Sequence, residues 1–440
     1  MSHGPANRAE AAQPSRSGPL QPSRPDVAQP GRGAKGSLPP AGLYVHLPFC
    51  VARCPYCDFV VYAGGQARGP RARPERVYEA VDRELELRAD ALDARLKRRP
   101  KLQSVYFGGG TPSLIPAEWL ARLIATVRRR FGIAPGAEVT LEANPGPDER
   151  GDMAAFAAAG VNRVSFGAQS LDRAELRRLG RRHSPKDVAA AVAEARDAGV
   201  ASVNLDLLYD LPGQTVARWE ATLRGALELQ PDHLSLYALT LDDPDAEGLT
   251  GQFGDHLPTT PGARRWRDSA GPEQDDDRAA DQYCRAWDML VGGGWRGYEI
   301  SNWARPGHES RHNLTYWERR PYEAVGPGAH AFDGATRRWN AAGLAGYVAA
   351  LLPADGPAAL PPGGSEPIPP TTSTAERTIL ALRLDRGVPA EWAEEPAAAE
   401  AFTWARWSGL VEDFELEGEA RVRLTLRGRL LSNELFQKLV

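Results

Sequence analysis

The chain has 440 residues, which is too long for one small hydrophobic core, so its length predicts two or three domains. Its 53 basic and 57 acidic residues leave a net charge of -4, and this balance argues against a general nucleic-acid binder. No apolar run approaches the length of about eighteen residues that a membrane-spanning helix requires. We therefore expect a cytoplasmic protein without a membrane span.

The first 40 residues contain eight prolines and five glycines but no Phe, Trp or Tyr. Such a segment cannot bury enough apolar surface to offset the entropy lost on ordering, so residues 1–40 are predicted to form a disordered tail. A transit peptide is the alternative, because the segment has arginine and serine with few acidic residues. Its prolines would break the amphipathic helix that a transit peptide forms.

Short β-rich runs alternate with longer helical patterns from Leu43 onward. This alternation predicts βαβ units and a parallel sheet, and therefore an α/β fold. The predicted strands are residues 43–49, 104–109, 138–144, 163–169, 202–209 and 233–240. The predicted helices between them include residues 75–98, 116–131, 185–199 and 215–230. In barrels built this way the chemistry lies at the carboxyl ends of the strands, where the loops converge.

The second half of the chain contains two segments of irregular composition. Residues 248–278 are rich in glycine, proline and charge and are predicted to be a mobile excursion from the barrel. A helix from about 278 to 291 and a strand around 298–303 are predicted to follow it. Proline and glycine concentrate again in residues 352–372, and this pattern predicts a linker.

The linker would separate residues 41–351, the barrel and its extension, from a small domain at residues 373–440. A helix near 375–384, a strand at 420–426 and a terminal helix make this second domain winged-helix-like. Wing domains often bind nucleic acid, but a fold alone does not establish a function.

Three of the four cysteines lie in the loop after the first predicted strand, as Cys50, Cys54 and Cys57. Clustered thiolates hold iron–sulfur clusters, and three ligands would leave one iron of a [4Fe–4S] cluster open for chemistry. A structural zinc site would need a fourth ligand, which no nearby motif supplies. A disulfide is not expected in a chain with no signal peptide and so few cysteines. Cys284 lies far downstream and is assigned no role.

Glycines and polar residues end several of the predicted strands. The Gly-Gly-Gly-Thr-Pro run at 108–112 lets the backbone approach a ligand, with a tight turn as the alternative. Glu142, Gln169 and Asp206 each end a different strand, and polar groups in apolar strands need partners. Gln169 and Asp206 suit the hydroxyls of a ligand, and Arg181 could hold a carboxylate. The alternative for each residue is a salt bridge or a helix cap.

The segment 307–317 combines histidines with aromatic residues, in the order Gly-His-Glu-Ser-Arg-His-Asn-Leu-Thr-Tyr-Trp. Neutral imidazole is a good ligand for haem iron, and flanking aromatic rings can pack against a porphyrin face. The alternative is a loop packed on the domain, because aromatic residues are usually buried.

Five motifs together resemble the coproporphyrinogen oxidase-like branch of radical S-adenosylmethionine (SAM) proteins. They lie at residues 44–50, 108–112, 166–170, 206–214 and 312–317. The resemblance covers nearly the whole chain apart from the tail and the excursion. It implies a partial (β/α)6 radical SAM barrel with a small C-terminal winged-helix-like domain.

The resemblance also implies a [4Fe–4S] cluster on Cys50, Cys54 and Cys57, with SAM chelating the open iron. An electron donor would reduce this cluster, and SAM would be cleaved to methionine and a 5′-deoxyadenosyl radical. The positions that match the SAM contacts of the family are Tyr44, Gly110, Thr111, Glu142, Gln169, Arg181, Asp206 and Ala238.

Two functions occur in this branch. The oxidase members carry a further cysteine two places after the third cluster ligand, where this chain has Phe59. The haem chaperone members carry phenylalanine there, together with a His-Asn-x-x-Tyr-Trp motif. We therefore expect a haem chaperone that binds haem and transfers it to acceptor proteins, with His312 as haem ligand and His308 as the nearest alternative. An oxygen-independent coproporphyrinogen III oxidase is the alternative function, a nucleic-acid-modifying enzyme is a distant third, and no catalytic residue is assigned.

Overall fold

The computed structural model of the protein describes residues 38–67 and 72–440. The strands in this part of the chain are β1 (Gly42–Leu47), β2 (Phe49–Cys50), β3 (Tyr62–Ala63), β4 (Leu102–Gly109), β5 (Ile133–Ala143), β6 (Arg163–Gln169), β7 (Ser202–Tyr209), β8 (His233–Ala238), β9 (Arg296–Gly297), β10 (Asn302–Ala304), β11 (Tyr322–Val325), β12 (His330–Phe332), β13 (Thr336–Asn340), β14 (Gly363–Pro367), β15 (Val388–Pro389), β16 (Val411–Leu416) and β17 (Glu419–Leu424).

The helices of the same part are α1 (Pro74–Arg95), α2 (Ala117–Arg130), α3 (Met153–Ala159), α4 (Arg173–Arg178), α5 (Pro185–Asp197), α6 (Val216–Glu228), α7 (Pro261–Ala270), α8 (Asp276–Gly292), α9 (Arg311–Trp317), α10 (Leu344–Leu351), α11 (Pro370–Leu382), α12 (Ala390–Glu394), α13 (Ala399–Trp407), α14 (Leu426–Leu430) and α15 (Ser432–Phe436).

One 12-stranded sheet forms the centre of the molecule, in the order β14-β13-β12-β11-β1-β4-β5-β6-β7-β8-β10-β9. Strands β1, β4, β5, β6, β7 and β8 are consecutive parallel neighbours. This run of six does not close on itself among the described residues, because β1 pairs with β11 and β8 pairs with β10. The predicted α/β fold class, a partial (β/α)6 barrel, is confirmed.

The sequence builds these elements through burial on both faces of the sheet. Leu43 and Val45 on one face of β1 are fully buried, and His46 on the other face is also buried, as expected for a parallel strand that is covered on both sides. Helix α2 buries Leu120, Ile124 and Val127, whose spacing places them on one helical face. The barrel helices therefore pack an apolar stripe against the parallel strands.

The six predicted barrel strands and the four predicted helices are all present, with small differences at their ends. Helices α3 and α4 were not predicted because each is short. Both nevertheless carry an N-cap signal in the sequence, since Asp152 accepts a hydrogen bond from the Ala155 amide and Asp172 accepts one from the Ala174 amide.

The predicted excursion at 248–278 is partly helical. Helix α7 begins after Thr260, whose side chain accepts a hydrogen bond from the Ala263 amide, and α8 begins at Asp276. Arg267 of α7 donates to the backbone carbonyls of Tyr56 and Cys57 at 3.4 Å each. Composition alone did not reveal these cap signals, and helix α7 is bonded to the loop that carries the three cysteines. The mobility of the excursion stays a prediction.

Two further predictions need correction. The predicted strand at 298–303 is two short strands, β9 and β10, and the residues between them form a bend. The predicted linker at 352–372 contains β14, which pairs antiparallel with β13 at the edge of the large sheet. Its glycines allow this, because a Cβ on Gly364 would lie 2.3 Å from the Trp339 ring that covers it.

The C-terminal part has its own hydrophobic cluster, which includes Val388, Phe402, Val422 and Leu435. It also has a separate three-stranded sheet in the order β15-β17-β16, packed with α11 to α15. This combination of helices and a small antiparallel sheet is the winged-helix-like arrangement that was expected. The exact boundary of a second domain stays a prediction.

The predicted disordered tail, residues 1–40, lies outside the described residues except for its last three positions. In the part of the chain that the structure covers, no helix is both long enough and apolar enough to cross a membrane.

Glu84 is a fully buried carboxylate that joins three parts of the fold. It accepts hydrogen bonds from Tyr347 Oη at 2.6 Å, from the Gly326 amide at 2.9 Å and from Asn340 Nδ2 at 2.9 Å. Arg88 Nε donates to it at 3.1 Å. The Glu84 side chain therefore connects helix α1 to the turn after β11 and to helix α10.

We expect Glu84→Ala to lower the free energy of unfolding by about 3 kcal/mol or more, because it strands several buried donors and a cation. Urea unfolding followed by circular dichroism measures the change. Glu79→Ala, which removes a partly exposed partner of Arg76 on the same helix, is the control and should change stability by about 0.5 kcal/mol or less. Equal effects of the two variants would contradict the structural role of Glu84.

Candidate functional site

The cysteine loop is closed at its base by two short parallel strands. β2 follows β1 directly, and it pairs with β3 through Phe49 and Tyr62. The Tyr62 amide donates to the Pro48 carbonyl at 2.7 Å, so the loop that leaves the barrel returns to it. Cys50, Cys54 and Cys57 are therefore held beyond the carboxyl end of β1, and all three are free, half-buried thiols.

A chain of hydrogen bonds joins two of these cysteines. Thr111 Oγ1 donates to Cys50 Sγ at 3.4 Å, and Asn144 Nδ2 donates to Thr111 Oγ1 at 3.0 Å. Arg181 Nη2 donates to Asn144 Oδ1 at 2.5 Å, while Arg181 Nη1 donates to Cys54 Sγ at 3.5 Å. Asn144 was not predicted from the sequence, although it follows Glu142 at the end of a strand, which is the signal that identified its neighbours.

Burial disfavours the thiolate form of two of the three cysteines, Cys50 and Cys57, and so raises the pKa of each. Burial raises the pKa of Cys50 to about 11, against the smaller opposing effect of the Thr111 hydrogen bond. Burial also raises the pKa of Cys57 to about 12, with the neighbouring cysteines adding to the shift. Since only the thiolate binds a metal, binding must release these protons.

Three free cysteines in one loop, with hydrogen-bond donors beside two of the sulfurs, fit the ligand set of a [4Fe–4S] cluster. No group of three or more His, Cys, Asp or Glu side chains within 38–67 and 72–440 is arranged to hold one metal ion. In a [4Fe–4S] cluster each thiolate binds a different iron, so the three sulfurs do not converge on one point. The hydrogen bonds from Thr111 and Arg181 would stabilise sulfur in its thiolate form.

Gly110 packs directly against the base of the cysteine loop. A Cβ at this position would lie 2.6 Å from the Phe49 carbonyl oxygen and 2.8 Å from the Pro48 carbonyl carbon. Such contacts exclude every other residue without a backbone shift, so glycine lets the turn after β4 approach the loop. The predicted glycine-rich turn is therefore adjacent to the cysteines.

Glu142 lies at the end of β5, beside the same turn. Tyr106 Oη donates to it at 2.8 Å and the Gly109 amide donates to it at 3.0 Å. Burial raises the pKa of Glu142 to about 7, and the negative charge of Asp206 adds to this shift while the two hydrogen bonds oppose it. A carboxyl group in this position can be protonated or ionised near neutral pH.

The side chains of Gln169 and Arg181 lie close to the backbone of Gly167. A Cβ on this glycine would lie 3.0 Å from Gln169 Nε2 and 3.2 Å from Arg181 Nη2. Gln169 has φ of 64°, a strained left-handed conformation that turns the chain at the end of β6. Arg181 Nε is buried and has no hydrogen-bond partner in the described part of the chain. A buried unpaired guanidinium donor fits an anionic group such as a carboxylate.

Asp206 belongs to a second polar network inside the sheet. Asn204 Nδ2 donates to its carboxylate at 2.7 Å and Ser165 Oγ donates to it at 3.0 Å. Burial raises the pKa of Asp206, although these hydrogen bonds oppose the shift. Each carboxylate oxygen retains a further lone pair, so Asp206 can still accept from a ligand hydroxyl. Ala238, the last residue of β8, pairs in register with Tyr209 at the end of β7.

A column of rings fills the barrel interior from Tyr44 to His312. The Tyr44 and Tyr106 rings are 6.1 Å apart between centroids, and Tyr106 stacks on His312 at 5.0 Å. On the other side Tyr44 Oη and His46 Nδ1 are 3.0 Å apart, and His46 Nε2 lies 2.8 Å from the Val60 carbonyl of the cysteine loop. Tyr44 therefore lies within this column rather than in the hydrogen-bond chain of the cysteines.

His312 lies at the opposite end of the strands from the cysteines. Its Nδ1 is 2.9 Å from Ser104 Oγ near the start of β4, and its Nε2 is 2.7 Å from Tyr316 Oη. Six residues of extended chain separate Ser104 from Gly110, which corresponds to roughly 20 Å. Burial lowers the pKa of His312 to about 3, and both of its nitrogens are engaged. As a haem ligand His312 stays a prediction, and these surroundings count against it.

The predicted site residues thus divide into three groups. The cysteines, Gly110, Thr111, Gln169 and Arg181 come together at one end of the barrel. Glu142, Tyr44, Asp206 and Ala238 lie at the ends of neighbouring strands or within the interior near them. His312 is separate.

Comparisons with known proteins agree with this arrangement. Residues 44–226 match the model of the Radical SAM superfamily. The chain resembles the solved coproporphyrinogen III oxidase HemN of Escherichia coli, a radical SAM enzyme, with a TM-score of 0.72 and 22% identity over 91% of this chain and 90% of that one. This likeness shows the fold, which is that of a radical SAM protein.

Two curated relatives identify the family more closely. The heme chaperone HemW of Mycobacterium tuberculosis is 39% identical over 403 residues, covering 91% of this chain and 95% of the relative. The heme chaperone HemW of Escherichia coli is 36% identical over 293 residues, covering 67% and 70%. The chain belongs to the HemW family.

The raised pKa of Glu142 predicts a pH dependence of stability. Between its ordinary pKa of 4.5 and about 7 the folded protein holds a proton that the unfolded chain has released, so this contribution to stability is lost as pH rises through that window. Glu142→Gln does not titrate. Wild type should therefore lose this contribution between about pH 5 and about pH 8, whereas the variant should not. We expect the unfolding free energy of Glu142→Gln minus that of wild type, measured by urea unfolding, to be larger at about pH 8 than at about pH 5.

Glu118→Gln, which removes an exposed carboxylate from the first turn of α2, controls for a general charge effect. The pH-dependent difference should be larger for Glu142→Gln than for this control. Equal differences for the two variants would contradict the environment described for Glu142.

Proposed function

We propose that this protein is a haem chaperone, which binds haem and delivers it to acceptor proteins in the cytoplasm. The observation that carries the proposal is the similarity to relatives named heme chaperone HemW, which extends over 95% of the Mycobacterium tuberculosis protein. Similarity of that extent includes the C-terminal part as well as the barrel. The partners of the proposed function are haem, unidentified acceptor proteins and an electron donor for the cluster.

The proposed cluster ligands are Cys50, Cys54 and Cys57. Their support is the shared loop beyond β1, the closure of that loop by β2 and β3, and the donors from Thr111 and Arg181 beside two of the sulfurs. When bound, the cluster and SAM supply one-electron reductive chemistry that the side chains of the protein cannot perform alone. The residues of the chain hold the cysteines in place.

The proposed SAM contacts are the residues that line the strand ends. Arg181, with an unpaired buried Nε, is the proposed partner of the SAM carboxylate. Asp206 and Gln169 are proposed for the ribose hydroxyls, because carboxylate and amide oxygens accept hydrogen bonds from O–H groups. The remaining proposed contacts are Tyr44, Gly110, Thr111, Glu142 and Ala238.

An oxygen-independent coproporphyrinogen III oxidase is the second candidate, since HemN shares the fold. At 22% identity this likeness does not extend to activity. Phe59 also argues against it, because the oxidase pattern has a cysteine at this position. The Phe59 side chain is 61% exposed on the cysteine loop, so a different residue type could be accommodated there without repacking a core.

Loss of any one cluster ligand should abolish the cluster. We expect Cys50→Ala, Cys54→Ala and Cys57→Ala to lose the iron–sulfur absorbance and most of the bound iron after anaerobic reconstitution, because two thiolates cannot hold three irons of the cube. Cys284→Ala is the matched control and should retain wild-type iron content. Wild-type iron in the three loop variants would contradict the proposed ligands.

The proposed function predicts haem binding without porphyrin synthesis. Hemin titrated into the anaerobically reconstituted protein should bind stoichiometrically and give a distinct Soret band. The same preparation, supplied with coproporphyrinogen III, SAM and a reductant, should form no protoporphyrinogen IX. Formation of protoporphyrinogen IX with consumption of SAM would establish the oxidase function in place of the chaperone.

A further inference from the structure

Glu149 is a buried carboxylate with no role in the proposed cluster or SAM sites. It lies between β5 and α3, and 6% of its surface is exposed. Its backbone amide donates to the Gly146 carbonyl at 2.9 Å, and its backbone carbonyl accepts a hydrogen bond from Ser113 Oγ. A Cβ on Gly146 would lie 3.2 Å from Glu149 Oε2, so the carboxylate packs against the turn that precedes it. A charged group buried in this way costs free energy unless its surroundings compensate the charge.

The Glu149 carboxylate is part of the hydrogen-bond chain that connects the cysteines. Asn144 Nδ2 donates to Glu149 Oε1 at 3.3 Å and to Thr111 Oγ1 at 3.0 Å. Thr111 Oγ1 in turn donates to Cys50 Sγ at 3.4 Å. Along this path one amide and one hydroxyl group separate the carboxylate from a cysteine sulfur.

The same amide lies between Glu149 and Arg181. Arg181 Nη2 donates to Asn144 Oδ1 at 2.5 Å, and Arg181 Nη1 donates to Cys54 Sγ at 3.5 Å. Asn144 therefore presents its N–H to the negative group and its carbonyl to the positive group. Because the amide dipole points in the direction that suits both, it favours the charged form of each.

The charge of Glu149 acts on both of these neighbours. Burial lowers the pKa of the Arg181 guanidinium, but the groups around it outweigh this effect and raise the pKa, with Glu149 as one of the smaller contributors. Burial raises the pKa of the Cys50 thiol, and the negative charge of Glu149 adds to this shift after the larger effect of Cys54. Because water and salt screen buried charges less than exposed ones, the field of this carboxylate extends to the nearest proposed cluster ligand.

Three other carboxylates inside the fold have different partners. Glu84 accepts its hydrogen bonds from α1, from α10 and from the region of the turn after β11. Glu175 accepts a hydrogen bond from Ser170 Oγ at 2.6 Å. Glu142 is already a proposed contact of SAM. Glu149 differs from these in being joined through one amide to the donors beside two proposed cluster ligands.

A fixed negative charge beside an iron–sulfur cluster changes how readily the cluster is reduced. The reduction potential of such a cluster depends on the net charge, the hydrogen bonds and the solvent exposure around it. Reduction adds one electron, so a nearby carboxylate destabilises the reduced state more than the oxidised state. The carboxylate thereby makes the reduction potential more negative and the reduced cluster a stronger reductant.

We propose that the negative charge of Glu149 lowers the reduction potential of the [4Fe–4S] cluster proposed for the cysteine loop. This inference rests on the proposed cluster ligands and adds a residue that regulates their reactivity from a distance. Glu149 acts across the Asn144 amide and the Thr111 hydroxyl, and the guanidinium on the other side of the amide favours its charged form. The external electron donor must then be a one-electron carrier of correspondingly low potential.

An anaerobic redox titration of the full-length, cluster-reconstituted protein tests the inference. Glu149→Gln removes the charge, while its amide oxygen can still accept the hydrogen bond from Asn144. We expect the midpoint potential of the cluster, followed by electron paramagnetic resonance, to be less negative in this variant than in wild type. Its iron content and circular dichroism should match those of wild type, because the side chain keeps its size and its hydrogen bond.

Asp148→Asn is the matched control, since it removes the same charge from the neighbouring position, which is exposed. Water and salt screen a charge there, so this variant should keep the wild-type potential. The inference is wrong if Glu149→Gln keeps the wild-type potential or makes it more negative, or if the two variants shift it equally. Loss of the cluster in Glu149→Gln would establish a structural role for Glu149 instead.

The same titration separates this inference from the proposed functions of the protein. The cluster potential is measured without haem, so a protein that binds no hemin would overturn the chaperone function while Glu149→Gln still shifts the potential. If wild type holds no cluster after reconstitution, the proposed cluster ligands fail and the inference fails with them.

Discussion

The hydrogen bonds that join Cys50 to Cys54 through Thr111, Asn144 and Arg181 are the interactions on which the rest of the site depends. These residues come from the loops after β1, β4 and β5 and from the segment after α4, which meet only because the strands are parallel and end together. Each link fixes one loop relative to the next. The sulfur positions are therefore set by the fold before any ligand binds, and ligand binding has less disorder to overcome.

The two ends of the barrel differ in the residues that they hold and in what those residues do. The cysteine loop lies at the carboxyl ends of the strands. At the other end the column of rings that reaches His312 fills the interior, and Glu138 accepts hydrogen bonds from the backbone amides of Arg311 and His312. The His-Asn-x-x-Tyr-Trp segment therefore closes and stabilises the barrel as α9.

Much of the fold could be predicted because the spacing of apolar residues in each strand and helix shows which of its sides is buried. The strand-end residues were found for the same reason, since a polar residue that ends an apolar run is visible in the sequence. Three-dimensional partners are not visible in this way. The sequence did not show that His312 lies at the far end of the barrel or that Asn144 links Thr111 to Arg181.

Haem transfer to an acceptor tests the central claim most directly. Haem-loaded protein would be mixed with increasing amounts of a haem-depleted extract of its own cells, and with apomyoglobin as a passive scavenger of dissociated haem. A chaperone hands haem over in a complex, so the rate of haem loss should rise with the concentration of the extract and exceed the rate that apomyoglobin sets. If both acceptors reach the same concentration-independent rate, haem leaves by simple dissociation and the protein is not a haem chaperone.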